Sequence, residues 1–336
     1  MNTKIIAFFN NKGRVGKTSL IYHLAWMYNE LGFRVVAADL DPQANLTAAF
    51  LNEDRLEELW LDGNRPNTIF GCVQPLIKGI GDLADPHLEY IEDLCSYGNL
   101  ALLVGDLSLS GFEDQLSEVW PKCMDGDERA FRVISAFWRV MQKTAVVHQA
   151  DLILVDLGPN LGAINRAALI AADYVVMPLS PDLFSLQGLR NLGPTLRRWR
   201  KNWKDRLHKN PADDLELPQG QIQPIGYVVL HHSVRLDRLV KAYNPSIATI
   251  PNVYREAVLA QPGDNHLSVA NDPHCLALVK NYHSLMRMAQ EARKPMFYLK
   301  PADGALGAHA TAAKKVYGDF QRLAGKIAER TEVKIS

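Results

Sequence analysis

Short apolar runs alternate with helical hydrophobic patterns along most of the chain, and this alternation predicts its fold. Buried strands are predicted at residues 5–9, 34–39, 100–104, 151–156, 174–179 and 225–230. Between the first two runs, Leu20, Leu24, Met27 and Leu31 recur every three or four residues, as they would on one face of a helix. Strands and helices that alternate in this way predict a doubly wound α/β fold, in which helices flank a mostly parallel sheet.

The pattern also predicts how the chain is divided. Residues 1–290 are expected to form the main domain, in which the pattern of residues 53–150 is the least regular. A helix is predicted at about residues 275–292, and a Pro- and Gly-punctuated link follows it. A last helix is predicted at about residues 312–330. Residues 291–336 are therefore expected to be a C-terminal extension, a linker and a helix that pack on the main domain.

The segment between the first strand and the first helix has the features of a phosphate-binding loop. It reads Asn10-Asn11-Lys12-Gly13-Arg14-Val15-Gly16-Lys17-Thr18-Ser19. Backbone N–H groups of such a loop surround a phosphate, and the helix N-terminus adds a partial positive charge. Gly16 allows close backbone approach, Lys17 is placed to reach the terminal phosphates, and the Thr18 hydroxyl is placed to ligate Mg²⁺. Residues 11–19 are therefore predicted to bind a nucleotide.

Three carboxylates follow strands that are predicted to end beside this loop. Asp39 and Asp41 come at the end of the second strand, and Asp156 ends a later apolar run. The carboxyl ends of parallel strands border the ligand crevice of such a sheet, so Asp156 is predicted to hold Mg²⁺ there through water. Asp39 and Asp41 would be repelled by phosphates unless they act on a metal or on water. The alternative is that Asp39 only ends its strand and Asp41 only caps a turn.

These motifs together resemble those of the ParA/MinD family of deviant Walker A P-loop ATPases, and most of all its ParA-type partition members. The family loop is K-G-G-x-G-K-[ST], which residues 12–18 follow except that Arg14 replaces the second Gly. Residues 39–45 resemble the family's D-x-D-P-Q-x-N. A right-handed helical or extended conformation at Arg14 would tolerate its side chain.

The resemblance implies an ATPase that binds ATP and Mg²⁺ and closes into a homodimer. In the family, the early lysine reaches the partner chain's nucleotide, which implies this role for Lys12. Asp41 would orient the attacking water, and Asp39 would support the water shell of the metal. The implied catalytic residues are thus Lys12, Lys17 and Asp41, and the implied metal residues are Thr18, Asp39 and Asp156.

The resemblance also implies contacts with the base and with other macromolecules. The family strand that corresponds to residues 225–230 ends near the adenine, which implies base contacts from His231 and Pro251. Hydrolysis in the family is slow and is stimulated by a second protein, so a ParB-like or other stimulating partner is implied. The alternative is a MinD-like or scaffolding ATPase that positions a protein or membrane cargo without DNA.

Residues 189–207 have a helical pattern with one apolar face and one strongly cationic face. Leu189, Leu192, Leu196, Trp199 and Trp203 recur at helical spacing. Three interpretations stay open: a solvated basic face, sequence-independent DNA binding, and contact with a membrane surface. The resemblance favours DNA over a membrane, because ParA-type dimers bind DNA through surface arginines and lysines. The candidate DNA contacts are Arg197, Arg198, Arg200, Lys201 and Lys204 on this helix, and Arg235 and Arg238 beyond it.

Composition adds little to the choice between DNA, a membrane and solvent as the surroundings of the basic face. The 37 basic residues balance the 37 acidic ones, so only a local patch could favour nucleic acid. The four cysteines form no C-x-x-C pair, which argues against structural zinc and favours a reducing compartment. There is no signal-peptide pattern, and no apolar run approaches the roughly 20 residues that span a bilayer. We therefore expect a cytoplasmic protein, associated with the nucleoid if it binds DNA.

Overall fold

The computed structural model describes residues 3–61, 65–91, 98–232, 245–264, 267–282 and 284–333. The strands in these residues are β1 (Lys4–Phe8), β2 (Val35–Asp39), β3 (Glu89–Tyr90), β4 (Leu100–Leu103), β5 (Leu152–Asp156), β6 (Tyr174–Leu179), β7 (Gln223–His232) and β8 (Cys275–Lys280). They form a single sheet in the order β3-β4-β2-β5-β1-β6-β7-β8. Only the edge pair β3–β4 is antiparallel. The predicted mostly parallel sheet is confirmed.

Helices connect the strands and cover both faces of the sheet. The α-helices in the described residues are α1 (Lys17–Glu30), α2 (Asn45–Phe50), α3 (Glu53–Leu61), α4 (Ile69–Lys78), α5 (Phe112–Lys122), α6 (Glu128–Ile134), α7 (Ala136–His148), α8 (Ala163–Ala171), α9 (Leu183–Leu207), α10 (Pro245–Ala248), α11 (Ile250–Val253), α12 (Ser284–Ala292) and α13 (Ala308–Thr331). Short 3₁₀ turns occupy Leu107–Gly111, Cys123–Asp125, Val269–Asn271, Met296–Tyr298 and Pro301–Asp303, and a π-helical turn occupies Tyr254–Leu259.

The central strands are buried on both faces, which explains their nearly continuous apolar runs. In β1, Ile5 and Ala7 face one hydrophobic core, and Ile6 and Phe8 face the other. Helices α4 to α9 contribute to the first core, whereas α1, α12 and α13 contribute to the second. The fold is thus doubly wound, as predicted.

The register of the central strands brings the predicted chemical residues to one edge of the sheet. Asp156 at the end of β5 lies opposite Phe8 on one side and opposite Asp39 on the other. The segment that follows β1, the segment that follows β2 and the last residue of β5 therefore meet at the carboxyl ends of the strands. This edge is where ligands bind in open parallel sheets.

The C-terminal part differs from the expectation at one element. Residues 275–280, predicted as the start of a helix, form the edge strand β8, and α12 begins only at Ser284. A parallel partner strand decides this, because β8 pairs with β7 and buries Leu276 in the second core. The last helix forms as predicted. It packs along α1, where the Tyr28 hydroxyl donates a hydrogen bond to the Ala324 carbonyl at 2.9 Å.

Candidate nucleotide site

The loop after β1 is fixed to the neighbouring strand and leaves the start of α1 open. The Asn10 side-chain amide donates to the Pro178 carbonyl at 2.6 Å, and its oxygen accepts from the Lys12 N–H at 3.1 Å. Gly16 precedes α1 with a left-handed φ of 87°, and no side chain caps the helix there. The first N–H groups of α1 are therefore available to an anion, and they carry the partial positive charge of the helix.

Arg14 has an unusual backbone conformation for a residue other than glycine. Its φ is 61°, in the left-handed region, and not in the right-handed or extended region that would tolerate any side chain. A residue with a Cβ in this region costs about 1–2 kcal/mol relative to the right-handed conformation, and glycine avoids this cost. The tight turn of the loop sets this geometry, and the arginine side chain accommodates it by standing exposed to solvent.

Lys17, Thr18 and Asp156 meet in a buried cluster at the end of β5. Lys17 Nζ forms an ion pair with one carboxylate oxygen of Asp156, and the Thr18 hydroxyl donates to the other at 2.7 Å. Asp156 is fully buried, and Lys17 is only 8% exposed. Hydroxyl and carboxylate oxygens are hard ligands that suit Mg²⁺. These two oxygens therefore fit a magnesium site that is completed by water and phosphate.

Asp39 lies behind this cluster, and Thr47 engages it. One carboxylate oxygen of Asp39 accepts from both the N–H and the hydroxyl of Thr47, each at 2.8 Å, and the other accepts from the Asp41 N–H at 3.2 Å. Burial and, next, the nearby charge of Asp156 together raise the pKa of Asp39 to about 7. In the described residues no group of three or more His, Cys, Asp or Glu side chains could hold a metal. A metal at this site would depend on phosphate and water oxygens.

Asp41 lies at the mouth of the same site. It is 5% exposed, and one of its carboxylate oxygens accepts from the Gln43 N–H at 3.0 Å. Burial raises the pKa of Asp41 above its usual value. The same oxygen lies 3.4 Å from where a Cβ on Gly158 would be, so a side chain there would crowd Asp41. The segment after β5 therefore approaches the Asp41 carboxylate closely.

Lys12 lies at the outer rim of the site. Its ammonium group forms an ion pair with Asp182, the residue that caps α9, and lies 5.6 Å from the ring centre of Phe184. The side chains of Lys12 and Asp182 are 28% and 34% exposed. Phe184 is 72% exposed beside them. Lys12 therefore faces outward, away from the Lys17 cluster.

A cavity of about 710 Å³ opens between the loop after β1, residues 10–19, which we call the P-loop, and the C-terminal part of the chain. Residues 12–19 and Asp41 line one side of it, whereas Asn11 packs against Gly188 instead. The opposite wall is α12 and the residues that follow it, and the sequence analysis missed it. This wall consists of Met286, Ala289, Gln290, Arg293 and Lys294. The Ser19 hydroxyl donates to the Met286 sulfur at 3.4 Å, which joins the two walls.

A family model described as an AAA domain matches residues 3–209, and that span contains the P-loop, Asp41 and Asp156. A curated relative, the sporulation initiation inhibitor protein Soj of Bacillus subtilis, is 29% identical over 59% of this chain and 67% of its own length. This chain belongs to the ParA/MinD family of P-loop ATPases. It spans between 47% and 67% of the length of the first curated relatives that it matches.

Solved structures share the fold over nearly the whole chain. Protein DIP2308 of Corynebacterium diphtheriae superposes with a TM-score of 0.68 at 22% identity, covering 98% of this chain and 99% of that one. A structure of pNOB8 ParA bound to nonspecific DNA has a TM-score of 0.60 at 14% identity, with 98% and 99% covered. At these identities the likeness extends the family fold to the C-terminal part beyond residue 209.

Of the two base contacts that the family resemblance implies, Pro251 is not brought to the cavity. Pro251 is buried in α11, and it is not among the described residues that line the cavity. The cause is that Ile250 and Val253 of α11 face the first core, on the far side of the sheet from α12. The backbone of His231 lies in β7, but its side chain lies outside the described part of the chain, so its contact stays a prediction.

The basic helix of this family member is α9, and its cations divide into two kinds. Arg198, Arg200, Lys201 and Lys204 are exposed to solvent. Arg197 is only partly exposed, and its guanidinium donates to the carbonyls of Ala257 and Val258 at 2.6 and 3.1 Å. Arg197 thus fastens the π-helical turn to α9. Arg235 and Arg238 lie outside the described residues.

No helix in the described part of this family member could cross a membrane, since none combines sufficient length with sufficient hydrophobicity. The described cysteines Cys72, Cys123 and Cys275 are free thiols in the core, and burial raises the pKa of each to about 12. Thiols with so high a pKa are poor nucleophiles. Cysteine chemistry therefore adds nothing to the site.

Proposed function

We propose that this chain is a partition-type switch that binds ATP and Mg²⁺, dimerises, associates with DNA and is released by hydrolysis. The observation that carries the proposal is the meeting of Lys17, Thr18, Asp156 and Asp41 at one end of the 710 Å³ cavity. A lysine and a helix N-terminus suit the phosphates, and the Thr18 and Asp156 oxygens suit Mg²⁺. A bound Mg²⁺ would neutralise the charge that develops on the phosphates during hydrolysis. Lys17 would exchange its contact with Asp156 for the terminal phosphates.

Asp41 is the residue that we assign to the attacking water. Its carboxylate lines the cavity and is held by the Gln43 N–H, so it can accept a hydrogen bond from water in a fixed direction. Phosphoryl transfer to water asks little more of the protein than orientation and neutralisation of charge. Asp39 is bound to Thr47 and Asp41, so its role would be to orient water molecules around the metal.

The position of Lys12 supports dimerisation. Its ion pair with Asp182 joins two partly exposed groups, and such pairs contribute at most about 1 kcal/mol. The charge-assisted contact with a phosphate is stronger, so a second chain's nucleotide could take Lys12 from Asp182. The exposed rings and side chains beside it, Leu183 and Phe184, would be covered in such a dimer.

The exposed cations of α9 support the DNA step. Four of the predicted DNA contacts are exposed side chains on this one helix. Contacts between Lys or Arg and DNA phosphates release counterions, which favours binding at low salt. Arg197 is a poorer candidate, because it already binds two carbonyls. The DNA-bound pNOB8 ParA supports DNA binding for this fold. A ParB-like protein partner would stimulate hydrolysis and end the DNA-bound state, which would place the protein on the nucleoid in the cytoplasm.

The first experiment measures retention on nonspecific duplex DNA with ATP, with ADP and without nucleotide, at two salt concentrations. We expect retention only with ATP, with steep loss as salt rises. The double variant Arg200→Glu/Lys201→Glu should lower DNA affinity about 10- to 100-fold, since it removes two phosphate contacts and adds repulsion. The Lys12→Ala variant should lose both ATP-dependent dimers in sedimentation and DNA retention.

The matched control is Lys314→Glu/Lys315→Glu, which makes the same charge change on the exposed face of α13 and should leave retention intact. Equal loss in both double variants would show that net charge, rather than α9, sets DNA affinity. Dimers that persist in Lys12→Ala would remove the contact across the dimer. ATP-dependent dimers without DNA retention in any condition would instead favour the scaffolding ATPase.

A further inference from the structure

A second large cavity lies beside the nucleotide cavity, and nothing above uses it. It has a volume of about 830 Å³ and is formed by α1, the end of α2, the edge strand β3 and the segment after α12. We call it the aromatic cleft, because its walls carry Tyr22, Trp26, Phe50, Tyr90, Phe297 and Tyr298. Small-molecule sites in proteins fall in the range of about 300–1,000 Å³ and have mostly apolar walls with a few polar groups. The aromatic cleft matches this description.

The rings form a continuous series across three separate parts of the chain. The Tyr22 and Phe50 ring centres are 4.7 Å apart, and those of Trp26 and Tyr298 are 5.7 Å apart. Phe297 and Tyr298 lie at 5.1 Å, nearly perpendicular. Such distances are those of favourable aromatic pairs. The walls are thus held in place by their own contacts, so a planar ligand would meet a preformed surface.

Two of the cations that line the aromatic cleft form no ion pair within the described residues. Arg55 is neutralised by Glu58 and Glu89, and Lys294 by Asp303 at 2.7 Å. The one carboxylate in the lining, Glu30, accepts a hydrogen bond from the Tyr298 hydroxyl. Arg293 and Lys300 line the cleft and form no ion pair in the described residues, although Lys300 lies close enough to Asp303 to help lower the pKa of that carboxyl. The two exposed cations stand at the rim of the aromatic walls.

We propose that the aromatic cleft binds a planar aromatic anion, as an effector site separate from the P-loop. The ring system of the ligand would lie against Trp26 and Tyr298, with Tyr90 closing over it from the sheet edge. Its anionic group would lie at Lys300 and Arg293. A cleft lined by both aromatic faces and cations favours ligands that carry a flat apolar body and a negative charge.

The aromatic cleft is connected to the nucleotide cavity, and this gives the ligand a way to act. Tyr22, Arg293 and Lys294 line both cavities. The Arg293 guanidinium also donates to the carbonyl of Leu51, which caps the end of α2. Helix α2 begins shortly after Asp41, so a ligand that draws Arg293 toward the cleft would release the end of α2. Occupancy of either cavity should therefore change the affinity of the other by the same factor.

The test uses 8-anilinonaphthalene-1-sulfonate, an aromatic anion with a planar naphthalene ring system, whose fluorescence rises in apolar sites. The full-length protein is saturated with Mg²⁺ and a non-hydrolysable ATP analogue, so the P-loop cavity is filled. We expect saturable binding of one dye per chain. Tyr90→Ala and Lys300→Glu should each lower the affinity for the dye by about 10-fold, because the first removes one aromatic face and the second removes one charge contact. Val146→Ala and Lys314→Glu, at exposed sites on α7 and α13, are matched controls.

A second probe separates the charge from the ring. N-phenyl-1-naphthylamine has the same rings without the sulfonate, so Tyr90→Ala should weaken it and Lys300→Glu should not. Dye binding that is equally strong in all four variants, or that the ATP analogue displaces, would overturn the proposal. The link to the nucleotide is tested on the same samples by titrating the analogue with and without the dye. The absence of any coupling would overturn the connection through Arg293.

Discussion

The two walls of the nucleotide cavity are made in different ways. One wall is the P-loop with the ends of β2 and β5, where each residue type follows from a need of phosphate or metal. The other wall is α12 and the turn after it, where Met286, Gln290 and Arg293 form no recognisable motif. The family model that matches residues 3–209 covers the first wall and stops before the second. The same cavity therefore joins two kinds of wall. We call the P-loop side the motif wall, because chemistry constrains its residues, and the α12 side the packed wall, because packing constrains them.

A buried side chain, His23, helps to hold these two walls together. His23 is 2% exposed and lies on α1, one turn after the P-loop. Its Nε2 accepts from the Met296 N–H at 3.1 Å, so its Nδ1–H donates to the Ser19 carbonyl at 2.7 Å. Burial lowers the pKa of His23 to about 4, which keeps the ring neutral and able to accept. The comparison thus teaches that the motif wall depends on the packed wall for its support.

The largest expected effect is on nucleotide affinity, and it compares the contributions of the two walls. Lys17→Ala should weaken binding of a fluorescent ATP analogue by about 100-fold or more, because it removes a charge-assisted phosphate contact in a buried site. Gln290→Ala on the opposite wall should weaken it less than about 10-fold, the range of one neutral hydrogen bond. Fluorescence titration with Mg²⁺ measures both. An equal loss in the two variants would mean that the packed wall carries as much binding energy as the motif.

The next expected effect concerns stability, and it tests the link between the walls. His23→Ala should lower the free energy of unfolding by about 2–4 kcal/mol, because it leaves a cavity and an unpaired buried N–H. Chemical denaturation measures the loss. Hydrogen exchange should show faster exchange in residues 284–300 while the central strands stay protected. His208→Ala, at an exposed position at the end of α9, is the control and should change neither quantity.

The pH dependence of stability gives the same link a second test. The pKa of His23 is below its unfolded value of 6.5, so its contribution is complete above pH 6.5 and is lost as pH falls toward about 4. The unfolding free energy of the wild type should therefore fall over this range by more than that of His23→Ala. Parallel curves for the two proteins would show that His23 is not the group whose protonation loosens the C-terminal wall.

The sequence predicted the motif wall well, because its requirements are local. A Gly before a helix, a Lys and Thr at its start, and an Asp at the end of an apolar run are each visible in a few neighbouring residues. The residues of the packed wall need only side chains of a suitable size to pack against segments that are distant in the sequence. Such a requirement leaves no short sequence motif. Residues 275–292 show the difficulty: an apolar run beside a helical pattern became β8 and α12, and pairing with β7 decided the boundary. The spacing of Met286, Ala289 and Gln290, which lie on one face of α12, is the hint that the sequence offers.

The smallest expected effect lies inside the motif wall, at the one loop residue whose conformation the sequence did not predict. Arg14 is exposed and left-handed, so Arg14→Ala keeps the cost of a Cβ in that conformation, whereas Arg14→Gly removes it. The greater freedom of glycine in the unfolded chain takes back part of this gain. We therefore expect Arg14→Gly to be more stable than Arg14→Ala by about 0.5–1 kcal/mol.

Both substitutions at this position remove the same charge beside the phosphates, so the pair isolates the backbone. Thermal unfolding should place Arg14→Gly above Arg14→Ala, and their affinities for an ATP analogue should agree. A lower melting temperature for Arg14→Gly would mean that the loop is not left-handed at this residue in solution. Different affinities would mean that the conformation at Arg14 sets the direction of the neighbouring N–H groups, and the strain would then belong to phosphate binding rather than to folding alone.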